Sequence, residues 1–450
     1  MSYAGEQPAW LFRRACELVE SSGGDDREIV LDIGSLAARR LRNEDHTALH
    51  IPGLADVEQV LRKHRAYDFS ALDEQTVRKL YGSPIALSPS KIDQYAACRF
   101  EYFLQYGLKA KTRKQAKLDQ PAFGTFVHAV LEHTVLRVKA AGGFHVVDRE
   151  TLLQITLEEI QAYADEFFPE QAEREAYLFR RSQAEILDIA EDLWEELRSS
   201  LFVPEYCELK FAKDSLLPLI VIQGEKTDCQ ITGTIDRVDL YPYGDKTYVR
   251  VVDYKTGSKD FDFTDILNGA GLQMLIYLFA LREFGGEYLQ KGSLEPAGVL
   301  YLPAKKDYPL TGPMPEDQLV QKEHRENRKR KGLIRSDPHL LAAMEENPEE
   351  PRFMPYKAGK NGFTGNLADH RQMVLLERHV LRTVERMADQ ILSGVVAPDP
   401  VVRGQHTACR YCDYRSVCHK DLGTQEPRIL AETSAKLFWE KLEQEEANHG

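Results

Sequence analysis

The feature that most constrains this chain is a change of hydrophobic period. Up to about residue 200 the apolar residues recur at helical spacing, whereas from 205 to 255 they alternate with polar ones. Alternation places every second side chain on one face of a strand, so segments 205–211, 217–223, 229–241 and 247–255 are expected to be strands. The intervening YPYGDK (241–246) reads as a turn. Beyond it, 264–284 returns to a helical period, and a long helix is expected over 367–393. Helices, then a sheet, then helices indicate an α/β architecture with a mixed, mostly antiparallel sheet.

The 450 residues suggest two or three structural units. Residues 1–85 read as a helical segment, with Trp10, Leu11, Ala15, Leu18 and Val19 on one stripe and no site chemistry. Residues 86–425 carry the chemistry. A helix is expected over 123–141, where Phe126, Val127, Val130, Leu131, Val135 and Val138 repeat at its period, and a polar helical stretch over 151–200. Residues 305–366, rich in Lys, Pro, Glu and Gly, read as an insertion or irregular region, and 426–450 as a charged C-terminal helix and tail. The longest apolar run, LLPLIVI, is far below the roughly 20 residues of a spanning helix. The N-terminus has no signal-peptide pattern, so a cytoplasmic location is expected.

The chemistry centres on VVDYKTG. Asp253 and Lys255 are two apart and share a strand face near the strand's end. An Asp-x-Lys on a strand is by itself a common solvated pair. The preceding strand, however, holds Asp236, and a hairpin can bring it beside Asp253. Two adjacent carboxylates repel unless a cation joins them. Hard oxygen donors favour Mg²⁺ or Mn²⁺, and Lys255 can orient a water or stabilise developing negative charge. Together these fit metal-assisted phosphodiester hydrolysis. Asp239 is expected to pair with Arg237 or another base and is left out of the site. His128 lies just off the apolar stripe of its helix; Gln273 and Tyr277, at i and i+4, share a helix face; Glu208 is another strand acid.

The ordered set GTFVHAVLE, CELKF, GTIDRVD, VVDYKTG and LQMLIY resembles the RecB-type branch of the PD-(D/E)XK nucleases. The resemblance implies a restriction-endonuclease-like mixed sheet flanked by helices. It implies that His128, Asp236, Asp253 and the Tyr254 carbonyl bind Mg²⁺ or Mn²⁺. It makes Lys255 catalytic and assigns Gln273 and Tyr277 to supporting the site and the DNA. Glu208 matches an acidic position of these proteins and is a possible accessory acid.

Cys409, Cys412 and Cys418 form a C-x2-C-x5-C pattern that needs a fourth ligand, for which Cys98 is the best candidate. Spacing alone suits zinc at least as well as iron–sulfur. The set is similar to the 4Fe-4S staple of AddB subunits, and the wider text from about 84 to 421 also resembles their C-terminal half. That resemblance implies a 4Fe-4S cluster, an AddA-like helicase–nuclease partner, and a metal-dependent DNA exonuclease that processes double-strand breaks. No G-x-x-x-x-G-K-[ST] loop occurs, so ATP binding of that kind is not expected. Two other functions remain open: a stand-alone CRISPR- or repair-associated iron–sulfur single-strand exonuclease, and a non-catalytic DNA-binding scaffold.

The net charge of −13 disfavours a general polyanion binder. Its distribution is uneven. Lys109, Lys111, Arg113, Lys114 and Lys117 form one basic run, and Arg328, Lys329, Arg330 and Lys331 another. Both are candidate contacts to linear or single-stranded DNA ends, against the plain alternative of a solvated face.

Overall fold

The computed structural model describes residues 71–111, 120–167, 173–255, 257, 260–304, 329–360, 362–418 and 426–449. The helical reading of 1–85 lies outside them up to residue 70. Six strands form the central sheet: β1 (Val203–Phe211), β2 (Gly233–Tyr243), β3 (Lys246–Lys255), β4 (Leu294–Pro303), β5 (Lys331–Arg335) and β6 (Leu367–Ala368). They lie side by side in chain order. β3 runs parallel to β4 and β5 parallel to β6; the other neighbours are antiparallel. The sheet is therefore mixed and mostly antiparallel.

The β2–β3 hairpin is tighter than the alternation implied. Tyr243 pairs with Lys246, which leaves a two-residue loop, and its first residue, Gly244, has φ 65°. A glycine occupies that left-handed position without steric cost. The expected strand over 229–241 divides into Cys229–Ile231 and β2. The first piece joins a small separate sheet with Ile85–Leu87 and Ile220–Ile222.

Helices cover both faces. On one side lie α1 (Glu74–Tyr81), α2 (Pro89–Ala97), α6 (Phe263–Leu267), α7 (Gln273–Ala280), α8 (His370–Leu392) and α9 (Ala435–His449); on the other lie α3 (Gln120–Ala140), α4 (Arg149–Phe167) and α5 (Glu173–Ser199). Val249, Val251 and Val299 pack toward Leu275, Leu278, Val380 and Val384. Val252 and Leu300 pack toward Val127, Leu131, Ile189 and Leu193 in a second core. The sheet is thus buried on both faces and its strands are held rigidly against both helical layers. α8 starts at a capping box in which Asp369 accepts from Gln372 N–H and Gln372 answers to the Asp369 backbone. None of the described helices is long and apolar enough to cross a membrane.

Two expectations are corrected. The single helix over 264–284 breaks between α6 and α7, because Gly269 and Gly271 take φ 85° and 68°. At Gly269 a Cβ would sit 2.2 Å from the Met387 terminal methyl, so α8 packs against bare backbone there. The stretch 305–366 is not irregular throughout. Residues 331–335 are a sheet strand, β5, with Gly332, Leu333, Ile334 and Arg335 buried. Residues 305–328 lie outside the described residues.

Candidate active site

The site forms where β1, β2 and β3 meet α3 and α7. The β2–β3 register pairs Arg237 with Val252. One step further along this antiparallel ladder brings Asp236 beside Asp253, as the hairpin argument requires. The Asp236 carboxylate accepts the Tyr254 backbone N–H at 2.7 Å. Lys255 Nζ lies 2.6 Å from Asp253 Oδ2, and the Asp253 side chain is only 3% exposed.

His128 enters from α3. Its Nε2 is 2.7 Å from the Tyr254 carbonyl oxygen, which can only accept, so that nitrogen carries the proton. Its Nδ1 faces Asp236 Oδ2 at 3.5 Å. Burial opposes the imidazolium, but the Asp236 hydrogen bond and charge, the Tyr254 carbonyl and Asp253 outweigh it. The His128 pKa is raised. The imidazole, the Asp236 carboxylate and the Tyr254 carbonyl therefore converge, and Asp253, paired with Lys255, is close enough to act on the imidazole.

Glu208 joins them more closely than the sequence indicated. Among the described residues, the group of metal-capable side chains whose ligand atoms lie within 4.8 Å of one another is His128, Glu208 and Asp236. Glu208 sits opposite Asp236 on the neighbouring strand, yet its φ is 48°, a left-handed backbone inside a β-strand. Such strain costs on the order of 1–3 kcal/mol and is found concentrated at functional sites. Burial, then the charges of Asp236 and Glu132, push the Glu208 carboxyl up to about 7. A carboxyl with a folded pKa above its unfolded one binds more protons folded than unfolded. In the metal-free protein it therefore takes stability away as pH rises from about 4.5 to about 7. The melting temperature in EDTA should fall across that window, and Glu208→Gln should flatten the fall. An equally steep fall in Glu208→Gln would contradict the assignment.

α7 closes the site from the other side. Gln273 and the Thr234 backbone hydrogen-bond to the Tyr277 hydroxyl, and burial raises the Tyr277 pKa. That hydroxyl rests against Gly233, where a Cβ would fall 1.8 Å from it. Gly233→Ala should push α7 away from β2 and cut activity by about 10²-fold, the cost of misplacing a reacting geometry by about 1 Å. Wild-type turnover in Gly233→Ala would show that Tyr277 need not stand there.

Behind the site lies a buried ion network. Arg237 pairs bidentately with Asp239 at 2.8 and 3.0 Å. Arg250 reaches Asp239 at 2.8 Å and Glu196 at 3.0 Å, and Arg330 reaches Glu196 at 2.7 Å. Arg237 also donates to the Tyr254 hydroxyl at 3.4 Å. The side chain of Tyr254 is thus anchored on one face while its backbone faces Asp236 and His128 on the other. Asp239 does pair with Arg237, but in the core. The other members escaped the sequence reading; the only signal was the Arg-x-Asp within GTIDRVD.

This corrects the reading of one basic run. Arg330 is 3% exposed and held by Glu196, so it presents no cation to DNA. Lys331 pairs with Asp260 at 2.9 Å, and Lys329 is half-buried. Lys109 and Lys111 are exposed. Arg113, Lys114, Lys117 and Arg328 lie outside the described residues.

The cysteine segments are neighbours. Arg99, next to Cys98, pairs with Asp399 at 2.7 Å; Arg428 donates to the Ala96 carbonyl at 2.6 Å; Tyr414 donates to the Ala110 carbonyl at 2.7 Å. Cys98 is buried, Cys409, Cys412 and Cys418 are half-buried, and the Cys98 and Cys412 thiols interact electrostatically. The four sulfurs are not drawn together as closely as His128, Glu208 and Asp236 are.

Comparison with known proteins identifies the family and relatives of the chain. A family model described as PD-(D/E)XK nuclease superfamily matches residues 86–419. The chain is 30% identical over 385 residues to the B-type ATP-dependent helicase/deoxyribonuclease subunit of Thermoanaerobacter sp. (strain X514), covering 82% of this chain and 33% of that protein. It is 32% identical over 395 residues to the protein of that name from Acetivibrio thermocellus, covering 83% and 34%. The chain spans about a third of the length of these relatives.

Proposed function

Since the chain belongs to the PD-(D/E)XK nuclease superfamily, we propose that it hydrolyses DNA phosphodiester bonds at the His128–Asp236–Asp253–Lys255 centre. It does so as an exonuclease subunit in double-strand-break processing, alongside an AddA-like helicase–nuclease. The observation that carries this reading is the convergence of His128, Glu208 and Asp236 with the Tyr254 carbonyl beside the Asp253–Lys255 pair. The names of the relatives, subunits of an ATP-dependent helicase/deoxyribonuclease, support DNA as the substrate and a partner subunit.

The donor set fits a hard divalent cation. Two aspartates, a carbonyl and an imidazole suit Mg²⁺ or Mn²⁺, and Glu208 adds a third carboxylate. His128, Asp236, Asp253 and the Tyr254 carbonyl would hold it. When bound, such an ion polarises a phosphoryl oxygen and makes water acidic enough to attack at neutral pH. Lys255, positioned by Asp253, donates to the attacking water and to the negative charge that grows on the phosphoryl oxygens. The Tyr254 N–H holds Asp236 Oδ2, the oxygen that faces His128 Nδ1, in place without side-chain reorganisation. Gln273 and Tyr277 fix the α7 wall along which the strand passes.

Cys98, Cys409, Cys412 and Cys418 are assigned to a 4Fe-4S cluster in a cytoplasmic, reducing setting. The support is four thiols on two segments already tied by the Arg99–Asp399 and Tyr414–Ala110 contacts. Such a cross-link would staple residue 98 to residue 409 and remove roughly 5 kcal/mol of unfolded-chain entropy.

The test is degradation of linear and circular DNA by the purified chain with Mg²⁺. Loss of linear DNA, survival of the circle and inhibition by EDTA are expected. Binding of linear DNA without any cleavage would favour the scaffold reading instead.

A further inference from the structure

A cavity of about 400 Å³ lies among α2, α6, α8 and α9. Arg99, Arg386, Arg428 and Lys441 line it, together with Tyr95 and Gln390. None of these belongs to the catalytic centre. Such a concentration of cations is unusual in a chain whose net charge is −13.

The anions at hand do not balance it. Asp399 serves two guanidiniums, Arg99 at 2.7 Å and Arg428 at 3.1 Å. The carboxylate in the wall, Glu445, is held by His379 at 2.8 Å. The Arg386 guanidinium donates to the neutral Thr383 hydroxyl at 3.2 Å, and its charge acts on Glu445 together with that of Arg382. Four cations of this wall, Arg99, Arg386, Arg428 and Lys441, thus face two carboxylates, Asp399 and Glu445, and Glu445 is shared with His379 and Arg382. Burial, reinforced by Arg99 and only partly offset by Asp399, lowers the Arg428 pKa, as expected where cations crowd one another.

The chemistry selects the ligand. Guanidiniums fork onto phosphate oxygens, Lys441 adds a point charge, and Gln390 adds an amide donor. The volume is of the order needed for a nucleotide unit and well above that of a bare ion. The wall also contains Leu267 and Asn268, at the end of α6, just before α7 brings Gln273 and Tyr277 to the catalytic centre.

We propose that this cavity is a second phosphate-binding site, which seats a backbone phosphate of the DNA strand away from the scissile bond. The proposal rests on the nuclease reading for its substrate but uses different residues. It makes processive hold on the strand a property of α8 and α9, separate from bond cleavage.

The test is the double variant Arg386→Gln/Lys441→Gln, whose side chains lie at the cavity's accessible rim. Fluorescence anisotropy with labelled oligo(dT) in EDTA, across a NaCl series, reads binding without cleavage. Each phosphate contact on a single strand contributes about 0.7 to the slope of log K against log salt, so the slope should flatten by about 1.4. Affinity at 0.1 M salt should then fall roughly 20-fold. Hydrolysis of bis(p-nitrophenyl) phosphate with Mg²⁺, which needs only the catalytic centre, should match wild type. Unchanged oligonucleotide affinity and slope would overturn the proposal. So would loss of dTMP binding alone, which would make the cavity a free-nucleotide site. If wild type binds oligo(dT) through these cations but never hydrolyses the small diester, the nuclease reading fails and the phosphate site stands.

Discussion

Asp253→Asn should abolish Mg²⁺-dependent cleavage, lowering turnover on the order of 10³-fold or more, while leaving the fold intact. Asp253 is the carboxylate shared by the two halves of the centre, adjacent to Asp236 and 2.6 Å from Lys255. The amide keeps its shape but loses the charge that orients the Lys255 ammonium and that, in the mechanism we propose, holds a cation. Several kcal/mol of transition-state stabilisation depend on that charge, and each 1.36 kcal/mol is tenfold in rate. Stability should hold or rise, because in the metal-free protein the substitution removes repulsion from the neighbouring Asp236. A melting temperature equal to or above wild type, with no cleavage, separates a chemical role from a structural one. Retained cleavage would remove Asp253 from the mechanism.

Glu196→Ala should have the opposite profile, with a large loss of stability. Glu196 is 1% exposed and joins Arg250 at 3.0 Å to Arg330 at 2.7 Å. Removing it takes one carboxylate away from two buried guanidiniums, of which Arg250 keeps Asp239, at a cost of about 3–5 kcal/mol. Against a total of about 5–15 kcal/mol, that is enough to leave much of the protein unfolded on mild heating. The denaturation midpoint reads it directly. Replacing all three side chains by apolar residues, Glu196→Leu with Arg250→Met and Arg330→Met, should recover most of the loss, because the buried charges that remain, Arg237 and Asp239, still pair with each other. The pH dependence follows from the same contacts. Burial works against the Glu196 carboxylate, but Arg330, Arg250 and Arg237 overcome it and hold its pKa down to about 2. A folded pKa below the unfolded one gives stability that is present above about pH 4.5 and lost as pH falls toward 2. Glu196→Ala should lose that part of the acid transition. If its denaturation midpoint equals wild type, the network contributes nothing.

The two variants show which part of the molecule was legible in the sequence. The Asp253–Lys255 pair was visible because strand alternation fixes which side chains share a face, and the YPYGDK turn fixes which strand stands beside them. From those two facts the approach of Asp236 followed, as did the antiparallel hairpin itself. Three features were not legible. Glu208 reaches His128 and Asp236 through a left-handed backbone, and no pattern of residue types announces a positive φ at glutamate. Arg330 looked like part of a solvated basic run; its burial depends on Glu196, 134 positions away, and on the aromatic face of Phe353 beneath it. β5 was hidden for the same reason, since Lys331 and Arg335 flank only three uncharged residues and the strand is stabilised by its neighbours β4 and β6. Local alternation reports the partners of a long strand. It reports little about a short one whose burial is decided by distant chain.

The central claim is that His128, Asp236 and Asp253 form one divalent-cation centre that serves phosphodiester hydrolysis. Its most direct test is Mn²⁺ binding to the purified chain, followed by electron paramagnetic resonance, in wild type and in Asp236→Asn. Saturable Mn²⁺ binding is expected in wild type, at a concentration that also supports DNA cleavage, with loss of both in Asp236→Asn and the melting temperature preserved. Mn²⁺ binding that survives Asp236→Asn unchanged, or cleavage that proceeds at full rate without it, would contradict that claim.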